Sequence, residues 1–258
     1  MSRLLRLLTL SAAPLLVGCS KAEKTEEQFI EHGMGIAELN QQPTPSSERS
    51  RLAILRVGPR LVEALARKDL KYGAPVFIRI FKQEEQLELW LRGEEGYRLF
   101  RTYKIAGVSG ELGPKMEEGD LQAPEGFYHV SPARMNPNSD FHLSFNLGYP
   151  NAYDRTHGRT GSALMVHGGR VSIGCFAMTD ANIEEIYTLC DAALRGGQKF
   201  FRVHCFPFRM TQANMTKHKD SEWLEFWKNL KIGYDCFEQK GVPPDVTVEE
   251  KRYVFGLP

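Results

Sequence analysis

The sequence predicts a β-rich α+β fold, a mixed sheet or sandwich with flanking helices. Three observations carry this: three consecutive segments alternate apolar and polar residues, helical spacing brackets them on both sides, and glycine- and proline-containing turns separate the pieces. With 258 residues, 42% of them hydrophobic, the chain can bury a substantial core.

From Ser50 to Leu70 the positions Leu52, Leu55, Leu61, Val62 and Leu65 recur with helical spacing. Gly58-Pro59 interrupts them, which predicts two short helices or one kinked helix. The period then changes to two over Val76–Phe81, Leu87–Arg92 and Tyr97–Tyr103, the mark of successive strands. Gly107 to Gly126, rich in glycine and proline, predicts a long irregular loop. Phe127–Val130, Phe141–Asn146 and Ala163–Val166 are short strand candidates.

Thr179 or Asp180 can cap a helix over Ala181–Arg195 that ends at Gly196-Gly197. Lys199–Phe206 then reads as a buried strand. A second amphipathic helix spans about Lys219 to Phe237, with Trp223, Phe226, Trp227 and Leu230 on its core face.

The first nineteen residues predict an export signal: Arg3 and Arg6 precede the apolar run Leu7–Val17, and Leu16-Val17-Gly18-Cys19 closes it. That tetrapeptide resembles a lipobox, with Cys19 as the lipid anchor and the alternative of an ordinary secretory signal beside it. Ser20, not an acid, follows, which in sorted lipoproteins favours the outer membrane. The polar stretch 20–48, with its Pro-Thr-Pro-Ser-Ser segment, reads as a tether, and residues 49–258 as the folded domain. The expected location is therefore periplasmic, with membrane contact only through the lipid. A formal net charge of +1 without basic clusters points away from nucleic acid.

Five cysteines, Cys19, Cys175, Cys190, Cys205 and Cys236, form no Cys-x-x-Cys pair, so no metal site is expected. With Cys19 lipidated and Cys175 a working thiol, the other three allow at most one disulfide. Cys190 and Cys205 lie in apolar periodic segments and read as buried small side chains.

The chemistry concentrates in Ser162-Ala-Leu-Met-Val-His167-Gly168-Gly-Arg-Val-Ser172-Ile-Gly174-Cys175. A histidine at a strand end, two glycines after it and a cysteine in a Gly-containing turn suit nucleophilic catalysis. A thiol attacks an amide well only as thiolate, so it needs a base in reach and amide N–H groups facing the oxyanion. The reading makes Cys175 the nucleophile and His167 its acid/base partner. Gly168 leaves room beside the histidine, the Gly174 and Cys175 amides are oxyanion candidates, and Ser172 orients the turn or the histidine. Either residue alone would read as structural; the motif joins them.

The pattern His-Gly-x-x-x-Ser-x-Gly-Cys resembles the active-site motif of the L,D-transpeptidase (YkuD-type) catalytic domain, and within it the YafK-like branch. Phe145-Asn-Leu-Gly-Tyr-Pro-Asn-Ala-Tyr-Asp154, Met165–Gly168 and Ser172–Asp180 carry the likeness. What the resemblance implies is a β-rich catalytic fold, a cysteine nucleophile at Cys175, a catalytic histidine at His167, and diaminopimelate-containing peptidoglycan stem peptides as substrate, with no cofactor. Most of the wider family carries Ser-His-Gly-Cys, where this chain has Ile173. The branch leaves transfer and hydrolysis open, with a wall-linked lipoprotein as an alternative partner. A non-catalytic wall-binding lipoprotein is the reading from another class; intact His167 and Cys175 argue against it.

Tyr149, Asn151 and Asp154 are groove candidates, although Asn-x-x-Asp after Gly-Tyr-Pro is equally good turn chemistry. Arg170 either binds a stem-peptide carboxylate or is a solvated loop arginine.

Overall fold

The computed structural model describes residues 44–256; the expected export signal, with Cys19, and most of the expected tether lie outside them. The described chain opens with α1 (Glu48–Ala66), a single helix through Gly58-Pro59, so of the two expectations the two-piece one falls away. A capping box between Ser47 and Ser50 starts it, and the buried stripe Ser50, Ala53, Val57, Leu61 and Leu65 holds it. Leu52, Leu55 and Val62 face outward, so the burial phase differs from the one the leucines alone suggested. Packing on a later helix outweighs the single N–H that Pro59 removes.

The strands β1 (Val76–Phe81), β2 (Gln86–Arg92) and β3 (Tyr97–Lys104) form the predicted antiparallel meander. With β5 (Gly126–Val130) and β10 (Phe201–Phe206) they make a five-stranded sheet in the order β3-β2-β1-β10-β5. All of β1 is buried because both faces are covered. Val76, Ile78 and Ile80 belong to the larger core, while Phe81 joins a second cluster with Phe206, Trp227 and Tyr253. The same two-sided cover buries Arg79, which pairs with Glu88 at 2.8 Å.

A second five-stranded sheet is built from short pieces in the order β4-β9-β8-β7-β6: β4 (Gly107–Val108), β6 (Met135–Asn136), β7 (Ser144–Asn146), β8 (Met165–His167) and β9 (Phe176–Ala177). Two elements shift from expectation here. The strand predicted over Phe141–Asn146 begins only at Ser144, and the one predicted over Ala163–Val166 runs Met165–His167. A short helix α2 (Ala152–Thr156) lies between them.

Helix α3 (Asp180–Arg195) is capped by the Thr179 side chain and packs on α1, β1, β7 and β8, so it bridges the two sheets. On the far side of the first sheet, α4 (Gln212–Lys217), α5 (Leu224–Lys240) and the hairpin β11 (Asp245–Glu249) and β12 (Arg252–Gly256) supply the second cluster. Gly241 ends α5 with a left-handed φ of 65°. Cys190 and Cys205 are fully buried as free thiols, and no disulfide joins Cys175, Cys190, Cys205 and Cys236.

Candidate active site

Strands β8 and β9 pair in parallel, with Val166 opposite Phe176 and His167 opposite Ala177. One step earlier in that register, Met165 meets Cys175, and the Met165 N–H donates to Cys175 Sγ at 3.4 Å. Side chains two apart on a strand share a face, so by that register Cys175, the residue just before β9, falls on the same side as His167. The opposite face, with Val166, Phe145 and Phe176, is core.

The two groups rest in neutral forms. Burial pushes the Cys175 thiol up, opposed by the Met165 N–H and the Lys115 charge. Burial pushes the His167 imidazole down, opposed by its hydrogen bond to Gly168. A carbonyl only accepts, so at 2.5 Å from Gly168 O the His167 Nδ1 carries the proton and Nε2 keeps its lone pair. Nε2 has no hydrogen-bond partner among the described residues. The thiol points its own weak bond at Ala163 O, 3.7 Å away. Cys175 is half-buried and free of any disulfide.

The turn carrying Cys175 is fixed from several sides. Ser172 Oγ donates to Cys175 O at 2.6 Å, which makes Ser172 an organiser of the turn rather than of His167. Gly174 has φ 115°, a region closed to L side chains, and a Cβ there would stand 3.2 Å from Gln122 O. Gly168 is required for a different reason: a Cβ would lie 2.6 Å from Asp180 Oδ1 and 2.7 Å from Phe141 O.

The oxyanion expectation needs a correction at Gly174. Its N–H already donates to Ser109 Oγ at 2.6 Å, so that amide is occupied in this state. The Cys175 N–H has no backbone or side-chain acceptor among the described residues and is the free donor of the two.

The groove candidates Asn151 and Asp154 are also corrected. Asn151 caps α2, its Oδ1 accepting from Asp154 N at 2.9 Å, while its Nδ2 donates to Phe127 O and to Tyr253 Oη. Asp154 is fully buried and pairs with Arg159 at 2.8 Å, with the Tyr128 hydroxyl as a second donor. The turn chemistry that competed with the groove reading uses all of these polar atoms. Tyr149 is 6% exposed and donates to Lys115 O, so it too faces inward. Arg170 is exposed on the loop between His167 and Cys175 and makes no side-chain bond among the described residues.

Four residues near the site escaped sequence reasoning. Ser109 holds the turn, Asp180 accepts the Gly169 N–H at 2.9 Å, and Phe141 packs on the His167 ring. Lys115, buried in the loop after β4, donates to Asp120 and to Glu117 O. Burial alone would raise the Asp120 carboxyl, but Lys115 and the N–H groups of Gln122, Glu117 and Met116 bring it to about 2. Phe141 and Asp180 read from the sequence only as a strand start and a helix cap, and the Gly-Pro-rich loop that holds Ser109 and Lys115 gave no signal for its buried lysine.

The model of the L,D-transpeptidase catalytic domain (YkuD) matches residues 75–204, which include both His167 and Cys175. The chain is 50% identical over 191 residues to YafK of Escherichia coli (strain K12), named as a candidate L,D-transpeptidase; the match covers 74% of this chain and 78% of that protein. Among solved structures it is similar to the helical cell shape determining protein Pgp2 from Campylobacter jejuni. One crystal structure of that protein, a point mutant, gives a TM-score of 0.43 at 20% identity over 74% of this chain and 65% of Pgp2. Another gives 0.41 at 18% identity over 73% and 80%.

Proposed function

Because this chain belongs to the L,D-transpeptidase catalytic domain (YkuD) family, we propose that it is a cysteine acyltransferase that modifies peptidoglycan stem peptides containing diaminopimelate. The observation that carries the reading is the pair itself. A half-buried thiol at the start of β9 and an imidazole with a free Nε2 on β8 lie on the same side of the parallel pair, beside an unengaged Cys175 N–H.

His167 Nε2 takes the thiol proton as Cys175 Sγ adds to the carbonyl of the L-centre of diaminopimelate. The oxyanion that forms lies toward the Cys175 N–H. Collapse breaks the C–N bond, and the C-terminal D-residue leaves as an amine carrying the proton from His167. The thioester left on sulfur is opened by a nucleophile whose proton His167 accepts and then returns to the thiol. An amine of a second stem peptide gives a cross-link, whereas water gives hydrolysis, of stem peptides or of bonds joining a lipoprotein to the wall. The leader and Cys19 support a periplasmic enzyme tethered to the outer membrane by lipid.

The test is incubation of the purified chain with defined muropeptides, with and without an acceptor amine, read by mass spectrometry. New dimers identify transfer, and loss of cross-links or lipoprotein adducts identifies hydrolysis. Neither product, or undiminished turnover by Cys175→Ala, overturns the reading. Fatty-acid labelling that persists in Cys19→Ala would overturn the anchor.

A further inference from the structure

Phe141 lies across the His167 imidazole, with ring centroids 4.7 Å apart and planes tilted by 39°. The exposures are opposite: His167 is 3% exposed and Phe141 47%. An aromatic side chain half in water ordinarily has freedom to move, but the segment under this one is fixed on every side. The Phe141 N–H donates to Ser139 Oγ at 3.1 Å, and Phe141 O accepts the N–H of Gly168, the residue after the histidine, at 3.0 Å. Arg49 Nη1 donates to Ser139 O at 2.6 Å and to His142 O at 2.7 Å. His142, held at the unusual φ of 67°, places its Nε2 2.7 Å from Glu184 Oε1. Gly168 and Gly169 let this segment approach: a Cβ on the first would meet Phe141 O at 2.7 Å and one on the second Phe141 Cδ1 at 3.5 Å.

We propose that Phe141 is a positioning residue for the acid/base histidine: its ring is a roof that keeps water off the imidazole and fixes the plane from which Nε2 acts. The proposal rests on the role given to His167 above. Neutral imidazole is the form that can accept the thiol proton, and covering its face with an apolar ring disfavours the charged form. Burial is the leading cause of the depressed His167 pKa, and the Gly168 carbonyl, which favours the charged form, works against it. The titratable and charged groups on the elements packed against this segment are Asp140 and His142 beside Phe141, Arg49 and Arg56 on α1, and Asp180 and Glu184 on α3, while Lys115 acts on Cys175. The causes of the His167 shift are burial and the Gly168 bond.

The experiment is a histidine NMR titration of the full chain, with His167 assigned by a His167→Gln control, for the native protein, Phe141→Ala and Phe141→Tyr. In Phe141→Ala the His167 midpoint is expected to rise toward the ordinary imidazole value of about 6.5. The acid limb of kcat/KM on muropeptides rises by the same amount. Phe141→Tyr, which keeps the ring, titrates like the native protein. A midpoint that stays put or falls in Phe141→Ala overturns the roof, whatever the enzyme does with muropeptides. A midpoint that rises in a protein whose native form turns over no muropeptide leaves the shielding standing and removes the cell-wall reading.

Discussion

The Met165 N–H points at Cys175 Sγ from 3.4 Å, on the strand that carries His167 two residues later. The strand that presents His167 therefore also presents a donor that stabilises negative charge on sulfur. This bond and the Lys115 charge act against burial without overcoming it, so the resting sulfur is protonated.

Alkylation of Cys175 by iodoacetamide in the free enzyme should therefore climb steadily with pH through the alkaline range. A preformed thiolate–imidazolium pair would instead give a rate that is already flat from about pH 6. A plateau of that kind, followed by mass spectrometry of the Cys175 peptide, would refute the neutral resting pair.

The turn is expected to matter for catalysis more than for folding. Ser172→Ala removes the bond to Cys175 O and costs about 1 kcal/mol of stability. Gly174→Ala forces a side chain to φ 115° and into Gln122 O, a cost of about 1–3 kcal/mol. In both variants kcat should fall while the protein stays folded, as judged by thermal unfolding beside turnover; native kcat in a folded Gly174→Ala would show that the turn geometry is dispensable.

Asp154 separates structure from substrate binding. Asp154→Ala strands the buried Arg159 and is expected to destabilise by about 3–5 kcal/mol, measured by urea unfolding. The double variant Asp154→Leu/Arg159→Met should regain much of this, and its KM should equal the native value. A raised KM in the stable double variant would restore Asp154 to the groove.

His204 gives the fold an acid sensitivity distant from His167 and Cys175. Its ring lies between Phe77 and Phe127 with Nδ1 unpartnered, and burial first, then Arg202 and Arg79, hold it well below the ordinary value. The unfolded chain protonates this histidine below about pH 6.5 while the folded chain does not, so stability falls with acidification. One such group accounts for about 1.4 kcal/mol per pH unit below 6.5. His204→Leu should reduce the acid slope by one proton's worth; an unchanged slope would place the sensitivity elsewhere.

Local pattern was enough for much of the fold. Period-two alternation located the β1-β2-β3 meander, a capping threonine and a closing glycine pair bounded α3, and the Trp223 to Leu230 stripe located α5, though its start moved to Leu224. The second sheet was poorly legible because its strands are two or three residues long, too short for a period to show. Helix α4 and the β11-β12 hairpin were not foreseen.

The sequence by itself singled out the candidate pair: His167 and Cys175 were legible because chemistry dictates residue type, and the glycines around them because backbone conformation does. Only the tertiary structure decided what surrounds them. It turned Asn151 and Asp154 inward, closed the Gly174 amide with Ser109, brought Lys115 toward the thiol and laid Phe141 over the imidazole. Those contacts join positions distant along the chain, Ser109 to Gly174 and Phe141 to His167, and are fixed by strand register and helix packing, which no local spacing records.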